Sequence, residues 1–285
     1  MILVADSGST KTEWKIIKDG IPGESVFSSG INPYFQSPEE IYHLLKNELQ
    51  FFSGLAFSEV FFYGTGCNTS AKESIVRDAI RCFIFSTEIY VGSDLLAAAH
   101  SLCSRKPGIA CIMGTGSNSC YYDGSAIITN VAPLGYILGD EGGGAVIGRK
   151  LVSGVMKKQV PQEVIDKFYE TYKVTPAEIL ENVYMKPFAN RYLGQFTKFI
   201  SANIDIPELQ DIVKACFEDF IIRNILQYPE SKKLPVHFTG SIAYYFRTFL
   251  EDLLVRYNLQ AGIITVSPMP NLIQYHLYRS NSPKP

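Results

Sequence analysis

A pattern of strands and tight turns is written twice in this chain, and it leaves little freedom in the choice of fold. Residues 2–6, Gly8-Ser9-Thr10, residues 11–18 and Asp19-Gly20 read as strand, turn, strand, turn. Residues 109–113, Gly114-Thr115-Gly116, residues 117–122 and Asp123-Gly124 repeat that order, and a further strand-like run follows each Asp-Gly. Asp-Gly is a strong hairpin signal. A glycine in the preceding turn allows positive φ and close approach of the backbone to another group. Each first turn also offers hydroxyls beside bare N–H groups. Two such loops facing each other on related domains are able to hold a polyphosphate, which points to an ATP-dependent phosphotransferase built by duplication.

Composition sets the outer bounds. At 285 residues the chain is long enough for two domains, and with 46% hydrophobic and 13% aromatic residues it can bury real cores. The formal net charge is −2, and basic residues are scattered as short pairs such as Arg105-Lys106 and Lys232-Lys233. There is no basic stripe of the kind nucleic acid requires. The six cysteines (Cys67, Cys82, Cys103, Cys111, Cys120, Cys216) form no C-x-x-C pair, and most sit in apolar or helical runs, as buried thiols do. The first apolar run has no basic flank and is halted by Asp6, unlike a signal peptide. No stretch reaches the ~20 apolar residues of a membrane span. The expectation is a soluble, cytoplasmic protein.

The first part reads as strands near 2–6, 12–18 and 23–28, a helix over 38–52, a strand at 59–63, a helix over 70–83, a strand at 88–92 and a helix over 94–103. The order βββαβαβα implies a mixed sheet with helices packed on it. Pro107-Gly108 punctuates the chain, and the meander restarts. Helical periodicity then fills 162–172, 176–184, 187–202 and 207–227, with Pro161, Pro176, Pro187 and Pro207 marking starts. A strand at 235–239, a helix over 242–257, a strand at 262–266 and a last helix near 270–279 resume the α/β order.

Several motifs carry possible chemistry. Gly8-Ser9-Thr10-Lys11-Thr12 is no P-loop, because no glycine immediately precedes Lys11 and a period of two follows, with Trp14 and Ile16 opposite Glu13 and Lys15. It is a hairpin tip, either a plain turn or one whose amides and hydroxyls meet phosphate. Asp6, at the strand end, is placed to hold Mg²⁺ directly or through water, since that ion takes hard oxygen ligands. Gly114-Thr115-Gly116-Ser117-Asn118 is a second phosphate-loop candidate, and Gly64-Thr65-Gly66-Cys67-Asn68 is related to it. Asp94 stands between a strand and a helix. It reads either as a helix cap, the alternative favoured by position alone, or as a general base for a substrate hydroxyl. Asp140, in Gly139-Asp140-Glu141-Gly142-Gly143-Gly144, is either part of a flexible helix entry or an acceptor for vicinal hydroxyls. Asn32, before Pro33, is either a turn residue or a donor and acceptor for a ligand. Thr239-Gly240-Ser241-Ile242-Ala243 joins a strand to a helix and allows an anion or a ring to approach. His43, His100, His237 and His276 lack metal-ligand spacing and read as structural, and Tyr244, Tyr245 and Phe246 read as core.

Taken in order, these motifs resemble the N-acetylglucosamine kinases within the BadF/BadG-type ATPases, a branch of the sugar kinase, hsp70 and actin superfamily. The resemblance runs from Asp6-x-Gly8-Ser9-Thr10-Lys11-Thr12 through Asn32-Pro33, Asp94, Gly114–Asn118 and Gly139–Gly142 to Gly240-Ser241. It implies an α/β fold of two ribonuclease-H-like domains with mixed sheets and a central cleft, the second enlarged by helices. The first domain would span 1–106 together with a C-terminal helix in 270–285, and the second 107–269. The implied cofactors are ATP and Mg²⁺. Gly8, Ser9, Thr10, Lys11 and Thr12 with Thr115 and Gly116 would meet the phosphates, and Gly240, Ser241 and Ala243 the adenosine. Asp94 would deprotonate the sugar 6-hydroxyl, and Asn32, Ser117, Asn118, Gly135 and Asp140 would line the sugar pocket. Pro133-Leu134-Gly135-Tyr136 departs from the Gly-Trp-Gly run common in related enzymes. The implied partner is a small aminosugar: N-acetylglucosamine first, then glucosamine, N-acetylmannosamine or N-acetylmuramic acid. No nucleic acid or membrane is implied, and a homodimer through the helical domain is expected. The alternatives are an activator ATPase of a radical dehydratase, which needs a cysteine-held cluster that this cysteine spacing supports little, and a non-catalytic sugar or nucleotide sensor.

Overall fold

The computed structural model describes residues 1–8 and 10–280. They divide into two compact units, Met1–Ser104 with the segment from Pro268 onward, and Arg105–Ser267.

In the first unit five strands lie in the order β3-β2-β1-β4-β5: β1 (Ile2–Ser7), β2 (Lys11–Lys18), β3 (Ile21–Ser29), β4 (Ala56–Gly64) and β5 (Phe85–Ser93). Tight turns join β1, β2 and β3, so these run antiparallel, whereas β4 and β5 run parallel to β1 and reach their places through helical crossovers. Helix Pro38–Glu48 opens with a reciprocal cap: Glu40 N–H donates to Ser37 Oγ at 3.2 Å, and Ser37 N–H donates to the Glu40 carboxylate at 2.7 Å. The helix ends at Glu48, short of the expected 52, and one 3₁₀ turn follows at Gln50–Phe52. Both faces of β1 and β4 are buried, as strands sandwiched between helices require. Leu3, Ala5, Val60 and Phe62 face one core with Trp14, Leu45 and Ile80. Val4, Phe61 and Tyr63 face another with Ala97, Met269, Leu272 and Ile273. The last three belong to helix Met269–Ser280, which packs on helix Asp94–Cys103.

The second unit repeats this topology. Its strands are β6 (Gly108–Met113), β7 (Ser117–Tyr122), β8 (Ile127–Val131), β9 (Val236–Thr239) and β10 (Ala261–Thr265), ordered β10-β9-β6-β7-β8. Strand β6 takes the place of β1, with an antiparallel meander on one side and a parallel pair on the other. Between β8 and β9 the chain inserts a helical layer that includes Gly144–Met156, Gln162–Tyr172, Pro176–Tyr184 and Pro207–Arg223. The expected helix over 187–202 is two short ones: the left-handed Phe188 delays the first, Ala189–Gly194, and the chain breaks at Gln195–Phe196 before the second, Thr197–Ala202. The expected 207–227 helix ends at Arg223. That over 242–257 begins at Ser241 and breaks at Phe246.

Candidate functional site

In the first unit the β1–β2 turn is closed by Gly8 N–H donating to the Lys11 carbonyl at 3.0 Å. Thr10 and Lys11 are exposed, the Lys11 ammonium lying 4.7 Å from the Phe27 ring centre. Ser9 lies outside the described residues. Thr12 corrects the sequence reading. A period of two turns it inward, where its hydroxyl hydrogen-bonds Ser7 Oγ at 2.7 Å and donates to the Ser29 carbonyl at 3.1 Å. Its side chain is fully buried and its hydroxyl is taken up by these contacts. Ser7 was not singled out, yet it ties three segments together. Its Oγ meets Thr12 and accepts Ile31 N–H at 3.0 Å, and its carbonyl accepts Thr65 N–H at 3.0 Å.

Helix Asp94–Cys103 is capped by Ser93, whose Oγ accepts Leu96 N–H at 3.2 Å. Asp94 is therefore the first helical residue and not the cap. Its Oδ1 accepts Leu95 N–H at 2.8 Å, and its Oδ2 accepts the Thr65 hydroxyl at 2.7 Å. Burial pushes the Asp94 carboxyl up, and the Thr65 hydroxyl and Leu95 N–H pull it back down. Asp6 is pushed up to about 7, chiefly by burial and then by the negative charges of Asp94 and Glu13, with Lys11 opposing. A buried carboxyl whose charge is disfavoured by a second carboxylate suits a cation. The nearby donors are oxygens, and among the described residues no group of three or more His, Cys, Asp or Glu gathers for a metal. That set fits Mg²⁺, which keeps most of its waters and binds through one or two carboxylates and substrate phosphates.

Asn32 is the turn residue that one of the two readings expected. Its Oδ1 accepts Tyr34 N–H at 3.0 Å, an Asx turn, while its N–H donates to Gln36 Oε1 at 2.7 Å. The same Oδ1 rests on Gly66, at φ +85°, where a Cβ would come within 2.6 Å of it. The Gly64–Asn68 turn thus touches Asn32 and Asp94 together, and Tyr34 Oη donates to Asn68 Oδ1 at 3.1 Å.

In the second unit the β6–β7 loop rests on the start of helix Gly144–Met156. The carbonyls of Gly114 and Thr115 accept Gly144 N–H and Ala145 N–H, each at 2.8 Å. The Asp140 carboxylate lies over Gly116, where a Cβ would fall 2.6 Å from Oδ2, and Oδ1 accepts Ser117 N–H at 3.3 Å. Asp140 holds a left-handed backbone, φ 52°, a cost usually found where a side chain must be aimed. Its carboxyl is pushed up to about 6 by burial and by Glu141, against the Ser117 N–H. Glu141 is buried, ion-paired to Arg223 at 2.8 Å and hydrogen-bonded by Asn224 Nδ2 at 3.3 Å. Asn118 Oδ1 accepts Ser119 N–H and Asn130 Nδ2, both at 2.9 Å. Ser117 is buried, and Gly135, at φ +73°, opens a one-turn helix with exposed Leu134, Ile137 and Leu138 around it.

Gly240, at φ +122°, donates its N–H to the Thr265 carbonyl at 2.9 Å, and Ser241 after it is exposed. Ala243 is another correction: it is wholly buried in the core of this unit and its side chain faces no ligand. Tyr244 and Tyr245 were expected in the core but are exposed at 36% and 67%, because the break at Phe246 leaves only the latter ring inside. Ser7, Thr65, Glu141 and Arg223 escaped the sequence reading as individual residues. Only Thr65 carried a signal, its place in a third Gly-Thr-Gly.

Within the first unit Asp6, Gly8, Thr10, Lys11, Asn32 and Asp94 lie at or just beyond strand ends, and within the second Thr115, Gly116, Ser117 and Asn118 lie at the β6–β7 turn with Asp140 over Gly116. No family model matches the chain. Among curated proteins, the N-acetylmuramic acid/N-acetylglucosamine kinase of Clostridium acetobutylicum is 28% identical over 163 residues, covering 55% of this chain and 53% of that relative, about half its length. Among solved structures, a candidate N-acetylglucosamine kinase from Porphyromonas gingivalis is 44% identical with a TM-score of 0.94, covering 98% of this chain and 100% of that one. A ROK family glucokinase from Streptomyces griseus, solved with glucose and AMPPNP, aligns at 12% identity with a TM-score of 0.56 over 96% of this chain and 97% of its own, a likeness of fold. Each unit has the ribonuclease-H-like form of the actin-like ATPases. On the strength of the near-complete match at 44% identity, the chain belongs to the N-acetylglucosamine kinase-like family.

Proposed function

We propose that this chain is an ATP-dependent aminosugar kinase that phosphorylates the 6-hydroxyl of N-acetylglucosamine. The observation that carries the reading is the Asp94 carboxylate: part-buried, anchored through both oxygens, and on the same unit as the Gly8–Lys11 turn. In this reading the sugar hydroxyl gives its proton to Asp94 as its oxygen bonds to the γ-phosphorus. The bond from that phosphorus to the β–γ bridging oxygen breaks, and ADP leaves with the electron pair. Positioning and charge stabilisation supply most of such a reaction, and the base contributes about 10²–10⁴-fold.

Gly8, Thr10 and Lys11 of the first unit and Thr115 and Gly116 of the second are assigned to the phosphates, and Gly240 with Ser241 to the adenosine. Asp6 would hold Mg²⁺, which would supply neutralisation of phosphate charge. Asn32, Ser117, Asn118, Gly135 and Asp140 are assigned to the sugar, with Asp140 accepting from its hydroxyls. The names of two relatives support an N-acetylated aminosugar. We read the protein as cytoplasmic, where ATP is available. ADP release with N-acetylglucosamine, N-acetylmuramic acid, N-acetylmannosamine and glucosamine tests the proposal. The highest kcat/KM is expected with N-acetylglucosamine, and a protein that releases no ADP with any of the four overturns the kinase reading.

A further inference from the structure

We infer that Thr65 is a positioning residue for the Asp94 base, and that the Gly64–Asn68 turn serves to deliver its hydroxyl. The inference rests on the kinase reading above. Adjacent parallel strands end in register, Ser7 beside Gly64 and Gly64 beside Ser93. The residues one step past two of those ends, Thr65 and Asp94, therefore meet side by side. Leu95 N–H, an anchor from the next residue, holds Oδ1 alone and leaves the carboxylate plane free to turn. The Thr65 hydroxyl, donated across 29 residues of sequence to Oδ2 at 2.7 Å, fixes that plane. Each carboxylate oxygen still has a lone pair for a substrate proton.

Thr65 is itself held. Its N–H donates to the Ser7 carbonyl at 3.0 Å, and the turn closes through Cys67 N–H to the Gly64 carbonyl at 3.1 Å. The hydroxyl is thus fixed to the same buried serine that ties down Thr12 and the segment before Asn32. The Asp94 carboxylate that receives it also acts electrostatically on Asp6 of β1 and on the Cys67 thiol of the same turn as Thr65.

A group that aims the base acts on turnover and leaves ground-state binding alone. Thr65→Val keeps the branched shape and removes the donor. We expect kcat to fall roughly 10- to 100-fold, in line with a base displaced by about an ångström, while KM for ATP and for sugar stays within about threefold. Thr65→Ser should return most of the lost turnover. Thr65→Ser and Thr65→Ala differ by the hydroxyl oxygen alone, and their ratio keeps the test sound should the valine variant not fold. A valine or alanine variant with wild-type kcat, or a serine variant as slow as alanine, overturns the role of Thr65. Wild-type protein inactive on all four sugars in the same assay instead overturns the kinase reading, and this inference with it.

Discussion

Asp94 and Asp140 are both carboxylates lifted by burial, yet their surroundings prepare them for different work. Asp94 takes a hydroxyl and an amide on separate oxygens, the arrangement that orients a base. Asp94→Asn keeps the Leu95 contact and the shape but cannot take a proton. Turnover should fall at least 100-fold with the fold intact by circular dichroism, and a variant retaining a tenth of wild-type kcat would remove Asp94 from the role. Asp140 takes one amide at 3.3 Å and titrates near 6, so it is mostly ionised at neutral pH and becomes protonated just below it. Sugar KM should therefore rise as pH falls through 6, with kcat less affected. The stability effect runs the other way. Because the folded state holds this proton more tightly than the unfolded chain, Asp140 costs stability as pH rises from about 4 to 6. Melting temperatures of wild type and Asp140→Asn across that window should converge at the acid end and separate toward pH 6, with the wild type lower. Parallel curves would mean that the Asp140 carboxyl titrates as an ordinary one.

At the level of elements, strands were legible and helix breaks were not. Alternation in 12–18 and the Asp-Gly turns mark β2 and β7 because each inward side chain pays its own way in buried area, and the turn chemistry admits few conformations. The late helix start at Ala189 follows a left-handed Phe188, for which phenylalanine gives no local signal. Tyr244 and Tyr245 were misread because the helix breaks at Phe246, which the sequence does not signal. Candidate residues were legible where they sit at strand ends, as Asp6 and Asp94 do, or in a glycine-rich turn, as Asp140 does. The site was illegible where a contact joins distant elements, as with Glu141 and helix Pro207–Arg223, whose last residue reaches back to the Asp140 loop. Arg223→Met should leave the buried Glu141 charge without its cation and lower stability by about 1–3 kcal/mol, less than for a pair buried on both sides because Arg223 is 60% exposed. Adding Glu141→Gln should recover part of that loss in urea unfolding. If the two substitutions simply add, the pair is not coupled and the helix end does not brace the loop.

The whole molecule is one topology used twice, but the two copies are completed differently. The second unit is drawn from a continuous stretch, Arg105–Ser267, whereas the first needs both Met1–Ser104 and the segment from Pro268 onward. Helix Met269–Ser280 closes the second face of the first sheet with Met269, Leu272 and Ile273, each no more than 2% exposed, packed with Val4, Phe61 and Ala97. His276 stacks on Phe61 at 4.0 Å between ring centres and shares a hydrogen bond with Tyr63 Oη at 3.2 Å. Burial of three such side chains is worth roughly 5–9 kcal/mol at 1.5–3 each, comparable to the entire stability of an ordinary domain. A chain ending at Ser267 should therefore lose the first unit as a cooperative body while the second, whose core lies within its own residues, stays folded. Hydrogen exchange read by mass spectrometry distinguishes the two, since amides in 1–104 should exchange at near-unfolded rates and those in β6, β9 and helix Pro207–Arg223 should remain protected. Leu272→Ala with Ile273→Ala is the milder form of the same change, and should lower the unfolding midpoint of the first unit alone. Because the helix also packs on Asp94–Cys103, kinase turnover should disappear with the first unit. Unchanged protection across 1–104 in the shortened chain would show that the first sheet stands without its last helix.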